Sequence, residues 1–133
     1  MKTTGYIFTS IFLIVLLSSC ENREYNSPVG EGIGLEKNEL LFSTSKDSTI
    51  VKTANGYWGV NNISEVVNDT VKVIHSDLTQ KDTVSFDWYT TYKIGNDIFV
   101  KVEENTTGKD RNILFNLVAG NAFEQLLIKQ AGK

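Results

Sequence analysis

The sequence predicts an all-β domain, built as a sandwich of two sheets with about seven to eight strands. Residues that favour strands (Val, Ile, Thr, Phe, Tyr and Trp) recur throughout, with Gly and Asn between them. The last third of the chain, residues 97–133, has three short apolar segments separated by two turn signals. No apolar pattern of helical spacing extends over three turns after residue 20, so helices are not expected.

The length of 133 residues fits one domain with a leader segment. The chain carries 13 basic and 16 acidic residues, a formal net charge of −3. Because no cluster of Lys or Arg lies near potential stacking aromatics, nucleic acid is not an expected partner.

The first 20 residues have the organisation of a bacterial export signal. Lys2 precedes an apolar run at residues 11–17, which is shorter than the roughly 20 residues of a membrane-spanning helix. The run ends in Leu-Ser-Ser-Cys, which resembles the lipobox of bacterial lipoproteins. That resemblance implies a signal peptide at residues 1–19 and lipidation of Cys20, whereas the alternative is an ordinary signal peptide with a chance cysteine. Cys20 is the sole cysteine, so an intramolecular disulfide is excluded.

Residues 20–34 are predicted to be the lipidated cysteine and a flexible tether, because they are polar, rich in Gly and contain the only Pro. Glu21 and Glu24 resemble in part the acidic surface-export signal of Bacteroidetes lipoproteins. We therefore expect a membrane partner through the lipid anchor, at the periplasmic face of the outer membrane or at the cell surface. The folded domain is expected at residues 35–133.

Turn signals divide this domain into short strands. The first two flank a polar turn at residues 45–47, as a hairpin or as an edge strand followed by a strand of the facing sheet. The simplest interpretation of the irregular middle segment is an inserted hairpin, in which strands 70–75 and 84–88 are joined by the polar loop 76–83. The predicted strands are residues 39–44, 48–53, 57–61, 70–75, 84–88, 98–102, 113–119 and 123–128.

The strand at residues 113–119 has the clearest alternation. Its apolar residues point one way while Asn112 and Asn116 point the other, so one face is built to be buried. The next turn, Gly120 and Asn121, predicts a tight two-residue hairpin. The residues of the apolar face are Ile113, Phe115, Leu117 and Ala119.

The polar turn at residues 105–110 is predicted to be structural rather than ligand-binding. Asn105 can hydrogen-bond the backbone that follows it, and Gly108 can take a positive φ. Arg111 can cover carbonyls of the neighbouring turn or pair with a nearby glutamate. Gln130 can satisfy an edge backbone group where the chain leaves the sheet.

The run Val-Glu-Glu-Asn-Thr-Thr-Gly-Lys-Asp-Arg at residues 102–111, the Gly-Asn hairpin and Gln130 resemble BACON domains (Bacteroidetes-associated carbohydrate-binding often N-terminal). Trp58 and Trp88 match aromatic positions of that family. The resemblance covers residues 35–132, although segment 62–86 is longer than the family's usual link. It implies a seven-stranded immunoglobulin-like sandwich at the cell surface or in the periplasm, often attached to glycan-processing proteins.

Five aromatic residues are candidates for carbohydrate binding, because pyranose C–H faces pack on Trp and Tyr rings. Alternation lets at most one member of each adjacent pair face solvent. Burial of a Trp is worth roughly 4–6 kcal/mol, so a core role is the stronger interpretation of Trp88 and stays open for Trp58. Polar neighbours that can satisfy sugar hydroxyls are Asn61, Asn62, Asp87 and Lys93. The candidates are Tyr57, Trp58, Trp88, Tyr89 and Tyr92.

The pattern favours a non-catalytic protein. The acidic residues form no evident pair of the kind that glycoside hydrolysis requires. His75 is not accompanied by the Gly-x-Ser-x-Gly motif that would supply a nucleophilic serine. No zinc or calcium pattern is present, so neither a metal nor another cofactor is expected.

Two functions stay open: a glycan-binding module, for polysaccharide or glycoprotein glycans, and a structural or interaction domain that docks envelope proteins through exposed strand edges. An exposed, coplanar Trp58 and Tyr92 would favour the first. Both Trp side chains buried, with a bare edge strand, would favour the second.

Three short motifs resemble acceptors of the general O-glycosylation system of Bacteroidetes. Each is an Asp followed by a hydroxyl residue and then by Thr or Val, and the alternative is that Asp and Thr simply begin a strand. The candidate acceptors are Ser48, Thr70 and Thr83.

Overall fold

The computed structural model describes residues 32–79 and 81–133. Within these residues the chain forms nine strands and no helix, so none of the described residues belongs to a helix able to span a membrane. The predicted signal peptide, Cys20 and residues 20–31 of the tether lie outside the described residues. The strands are β1 (Glu39–Phe42), β2 (Asp47–Val51), β3 (Gly59–Val67), β4 (Thr70–His75), β5 (Thr83–Phe86), β6 (Tyr89–Ile94), β7 (Asp97–Val102), β8 (Arg111–Ala119) and β9 (Ala122–Gln130).

The strands form two sheets, which confirms the predicted all-β sandwich of immunoglobulin-like type. One sheet has five strands in the order β1-β9-β8-β3-β4, and the other has four in the order β2-β7-β6-β5. All described pairings are antiparallel except that of β1 with β9, which is parallel. Strands β8 and β9 form the predicted hairpin, with Ala119 opposite Ala122 across the Gly120–Asn121 turn.

The core lies between the sheets because apolar residues alternate along several strands, such as β7 and β8, and point inward. Ile113, Phe115 and Leu117 of β8 are buried, as their alternation predicts, and Ala119 packs partly against the core. From the four-stranded sheet, β7 contributes Ile98, Val100 and Val102, all of which are also buried.

The middle of the chain differs from the predicted inserted hairpin. Strands β4 and β5 lie in different sheets, so residues 70–75 and 84–88 do not pair with each other. Instead, β4 folds back on a longer β3 through Asn68 and Asp69, whose φ angles of 49° and 60° fit a type I′ turn. The unpredicted strand β6 pairs with β5 and with β7.

The first two strands also belong to different sheets. Of the two alternatives left by the sequence, the edge strand followed by a strand of the facing sheet is the observed one. The turn between them lets the chain cross from one layer to the other, and it places β1 beside the last strand.

The described chain begins at one end of the sandwich and finishes at the other. Ile33 is fully buried and its carbonyl accepts a 3.0 Å hydrogen bond from Ala54 N–H, so the folded domain begins before the expected residue 35. This N-terminal end also holds the Gly120–Asn121 hairpin. The opposite end holds the turn at residues 103–110 and the last residues, where Asn105 Nδ2 donates to Ala131 O.

Candidate functional site

The side chain of Tyr57 faces solvent, whereas that of Trp58 lies in the core. Tyr57 is 91% exposed, whereas Trp58 is only 5% exposed. The Trp58 indole Nε1 donates to Asn96 O at 2.8 Å, and Lys93 Nζ lies 4.5 Å from its ring centroid. Because the ring is enclosed and its polar atom satisfied, Trp58 is not available to a sugar. The prediction that it forms part of a sugar platform is wrong.

Trp88 and Tyr89 also pack against other side chains of the domain. Tyr89 is buried, which excludes it from a binding surface, and its ring centroid lies 5.0 Å from that of the half-buried Trp88. The Arg111 guanidinium carbon stands 4.3 Å over the Trp88 ring and covers it. Tyr92 stacks on Phe99, with 4.5 Å between the ring centroids. The five candidate aromatics therefore do not assemble into one platform.

The turn at residue 105 is held by its own side chains. Asn105 is fully buried, and its Nδ2 donates to Lys109 O at 2.8 Å and to Ala131 O at 2.9 Å. Its Oδ1 accepts from Thr107 N–H at 3.1 Å and from Thr107 Oγ1–H at 2.7 Å. Gly108 takes a φ of 72°, a conformation that costs other residues energy. These contacts are those of a structural turn.

Arg111 and Gln130 extend the same network. Arg111 Nη2 donates to Glu103 O at 2.9 Å, and its Nε donates to Gln130 Oε1 at 2.9 Å. Gln130 Nε2 donates to Glu103 O at 3.0 Å. Burial lowers the pKa of Arg111 from its ordinary value. Both side chains thus cover carbonyls of the turn between β7 and β8 and leave little for a ligand.

A different surface brings polar side chains together on the outer face of the five-stranded sheet. Strands β9, β8 and β3 lie side by side and place Gln125, Asn116 and Asn62 in a line, which we call the amide row. Gln125 Nε2 donates to Asn116 Oδ1 at 2.8 Å, and Asn116 Nδ2 donates to Asn62 Oδ1 at 2.6 Å. The row is therefore oriented before any ligand arrives.

The amide row forms the floor of a groove of about 890 Å³, which we call the outer groove. Phe123, 70% exposed, stands at the end nearest the Gly120–Asn121 hairpin. The chain leading into β1 forms the side wall. The lining residues are Leu35, Glu36, Lys37, Asn38, Asn61, Asn62, Asn116, Leu117, Phe123, Glu124 and Gln125.

Glu124 of β9 holds the chain leading into β1, which forms the side wall, against the sheet that forms the floor. Its Oε1 accepts a hydrogen bond from Gly34 N–H at 2.8 Å, and its Oε2 accepts one from Leu35 N–H at 3.1 Å. A Cβ added at Gly32 would lie 2.6 Å from Glu124 Oε1, so the chain passes close to this carboxylate. The groove is thus a preformed concavity with a fixed width at this end.

The sequence anticipates this site only in part. Asn62 and Asn61 are predicted as sugar-hydroxyl partners beside Trp58, but they lie in the outer groove, away from the buried Trp58 ring. Asn116 is correctly expected to point away from the core, although its neighbours across the sheet are unknown without the strand register. Nothing in the pattern around Phe123 indicates that this ring is exposed, because it follows the hairpin as one apolar residue of a strand.

The remaining sequence candidates are surface positions. Ser48, Thr70 and Thr83 are all exposed, as an acceptor of a modification must be. Among residues 32–79 and 81–133, no group of three or more His, Cys, Asp and Glu side chains is arranged to hold a metal ion.

Comparisons with known proteins bear on the fold. No protein-family model matches the sequence, and no curated protein matches it. Among solved structures, the chain is similar to the NMR structure of a protein from Bacteroides thetaiotaomicron, with a TM-score of 0.60 and 21% sequence identity. The similarity covers 75% of this chain and 80% of that chain, so it shows a shared fold over most of both.

Proposed function

We propose that this protein is a non-catalytic, lipid-anchored domain of the cell envelope that binds glycans through the outer groove. The observation that carries the proposal is the amide row beside the exposed ring of Phe123. Each amide offers a donor and an acceptor, as a sugar hydroxyl does. The ends of the row, Asn62 Nδ2 and Gln125 Oε1, have no hydrogen bond to another described residue.

Phe123 supplies the second element of sugar recognition. A pyranose ring has an apolar C–H face that packs on an aromatic ring, while its hydroxyls lie at the edge. Phe123 is on the same sheet face as the amide row, two residues before Gln125 along β9. A sugar seated on Phe123 would therefore direct its hydroxyls toward amides, which matches the usual combination of apolar and precisely placed polar groups in small-ligand sites.

The envelope location rests on the sequence. The lipobox-like segment before Cys20 supports a lipid anchor, and several acyl chains hold a protein at a membrane firmly. The resemblance to BACON domains supports a surface role, and the origin of the structural neighbour in a Bacteroides species is compatible with it. We place the protein at the outer membrane, on its periplasmic face or at the cell surface.

The glycan-binding proposal is tested with the chain lacking its predicted signal peptide and carrying Cys20→Ser. A glycan array followed by titration calorimetry is expected to identify a ligand. Phe123→Ala and Asn116→Ala should each weaken binding by about tenfold, which corresponds to roughly 1.4 kcal/mol. Tyr57→Ala removes an exposed ring outside the groove and is the matched control. Absence of binding to any glycan, or equal losses in the control, would contradict the proposal.

The anchor is tested separately in a bacterial host that processes lipoproteins. The wild-type chain is expected to partition into detergent and to carry acyl groups on Cys20 by mass spectrometry. Cys20→Ala should abolish both properties and leave the domain soluble in the periplasm. An unmodified Cys20 in the mature protein would favour the ordinary signal peptide instead.

The second candidate function is docking of an envelope protein, and both the burial of Trp58 and the free edge of β4 favour it. Val71 and Val73 are 56% and 55% exposed, and β4 pairs only with β3 among the described strands. An extended segment of a partner can add to such an edge. Val73→Lys would then abolish co-purification of a partner from native membranes, whereas Phe123→Ala would not. The reverse pattern would favour the groove.

We also propose O-glycosylation at Ser48, Thr70 and Thr83, because all three hydroxyl residues are exposed. Intact mass of the protein purified from its native host is the test. A mass equal to that of the unmodified lipoprotein would exclude it.

A further inference from the structure

The outer groove continues along β9, and we infer that it binds an extended, neutral polysaccharide chain rather than a single sugar or a chain end. This inference rests on the proposed glycan-binding function and specifies its ligand. Three features carry it: the length of the surface depression, an exposed apolar side chain at each of its ends, and the pairing of its charges.

The depression follows β9 for most of the strand. Beyond the outer groove, a second hollow of about 300 Å³ shares Asn38 and Gln125 with it and extends to Leu127. A third hollow of about 430 Å³ lies around Lys129 and Leu41. The nine residues of β9 span roughly 30 Å, and the three hollows lie in a row along this strand on the outer sheet face; we call this row the furrow.

The two ends of the furrow offer similar apolar surfaces. Phe123 stands at one end, and Leu41, 74% exposed, lies opposite Lys129 at the other. Lys129 is six positions after Phe123 along β9, a distance of about 20 Å. One sugar ring covers only a small part of that distance, and a single ring therefore contacts one end alone. A chain of several sugars contacts both.

The charges of the furrow favour a neutral ligand. Lys129 forms a salt bridge with Glu39, and Asp110 Oδ1 accepts a 2.8 Å hydrogen bond from Gly132 N–H. The carboxylate of Glu124 is occupied by Gly34 and Leu35 N–H groups. Across the lining residues, acidic side chains outnumber basic ones. A uronic acid or a sulfated sugar would thus meet no matching cation cluster in the described lining.

The experiment compares ligand length and charge in the same protein. Titration calorimetry uses neutral oligosaccharides of two and six units (cello-, xylo-, manno- and malto-series) and a hexamer of galacturonic acid. For the series that binds, the hexamer should bind at least about tenfold more tightly than the dimer. The galacturonate hexamer should bind more weakly than the neutral one.

Two variants locate the contacts. Leu41→Ala should weaken hexamer binding by about three- to tenfold and leave dimer binding unchanged, because only the longer ligand reaches that end. Phe123→Ala should weaken both. Leu41 is exposed, so its truncation is expected to leave the unfolding midpoint unchanged, which is measured as the folding control.

The outcomes separate this inference from the function on which it rests. Equal affinities for dimer and hexamer, tighter binding of the galacturonate hexamer, or no effect of Leu41→Ala would each overturn the extended neutral ligand while leaving glycan binding in place. Absence of binding by every glycan tested would overturn the proposed function itself, and this inference with it.

Discussion

Replacement of Asn105 by alanine is predicted to destabilise the domain by about 3–4 kcal/mol. The side chain is fully buried and takes part in four hydrogen bonds, with Lys109 O, Ala131 O and two groups of Thr107. A neutral hydrogen bond contributes about 1 kcal/mol, so the four together contribute about 4 kcal/mol. Carbonyls that regain water after the truncation reduce this loss somewhat.

Such a loss is a large part of the 5–15 kcal/mol that usually stabilises a domain, yet it leaves most molecules folded. For a domain of about 100 residues it corresponds to a fall in melting temperature of roughly 12–30 °C. The free energy of unfolding is measured by urea titration, with the fluorescence of Trp58 and Trp88 as the signal. Both rings pack in or against the core, so unfolding changes their environment.

Asn116→Ala is the matched control, because it removes an amide of the same size with bonds to Asn62, Ser64 and Gln125 on the solvent-facing side of the sheet. Because water replaces those contacts, we expect the free energy of unfolding to fall by less than about 1 kcal/mol. A loss of less than 1 kcal/mol for Asn105→Ala, or equal losses for the two variants, would refute the argument that the buried turn holds the end of the sandwich together.

Three further predictions concern stability. Tyr89→Phe should stabilise the domain by about 1 kcal/mol in the same assay, because the buried hydroxyl has no partner among the described residues; a loss of stability would reveal such a partner. Asp97→Asn should lower stability at pH 7. The bond from Lys52 Nζ holds the pKa of Asp97 below its ordinary 3.8, so the carboxylate stabilises the fold above that value and ceases to do so as the pH falls through its folded pKa. The difference from wild type should therefore shrink in urea titrations as the pH is lowered below 3.8, and a constant difference would exclude the linkage. Gly120→Ala should cost about 1 kcal/mol by thermal unfolding, since φ is 58° while no atom lies within 4 Å of the added methyl group; an unchanged midpoint would show that the hairpin tolerates alanine.

The C-terminal strands were predictable because their local pattern and their tertiary environment agree. Alternation in β8 identifies its buried face, and a two-residue Gly-Asn turn allows only a tight hairpin. In the middle of the chain, local patterns are equally compatible with several pairings. Residues 70–75 and 84–88 both alternate, and nothing in either segment states which sheet it joins. That choice depends on pairing with the longer β3 and with β6, and the sequence pattern predicts neither the full length of β3 nor the existence of β6.

The same limit applies to the candidate site. Alternation correctly predicts that the side chains of Tyr57 and Trp58 point in opposite directions. It does not identify which of these two side chains points into the core. In the structure the Trp58 indole N–H finds a carbonyl of the turn at Asn96, so burial leaves no polar atom unsatisfied. The amide row joins side chains that are 54 and 9 positions apart in the sequence, and it exists only once β3, β8 and β9 are in register. Residue types alone therefore suggest a platform of aromatic side chains that the structure does not assemble.

The parallel pairing of β1 with β9 determines how the domain responds to mechanical load. The described chain begins at one end of the sandwich, beside the start of β1, and leaves at the other after β9. Tension between residue 32 and residue 133 therefore pulls these two strands in opposite directions along their common axis. The bonds between them, including those from Leu127 N–H to Asn38 O and from Ala131 N–H to Phe42 O, are then loaded in shear and must break together. A domain of this geometry resists extension between these two residues better than one whose terminal strands would unzip bond by bond.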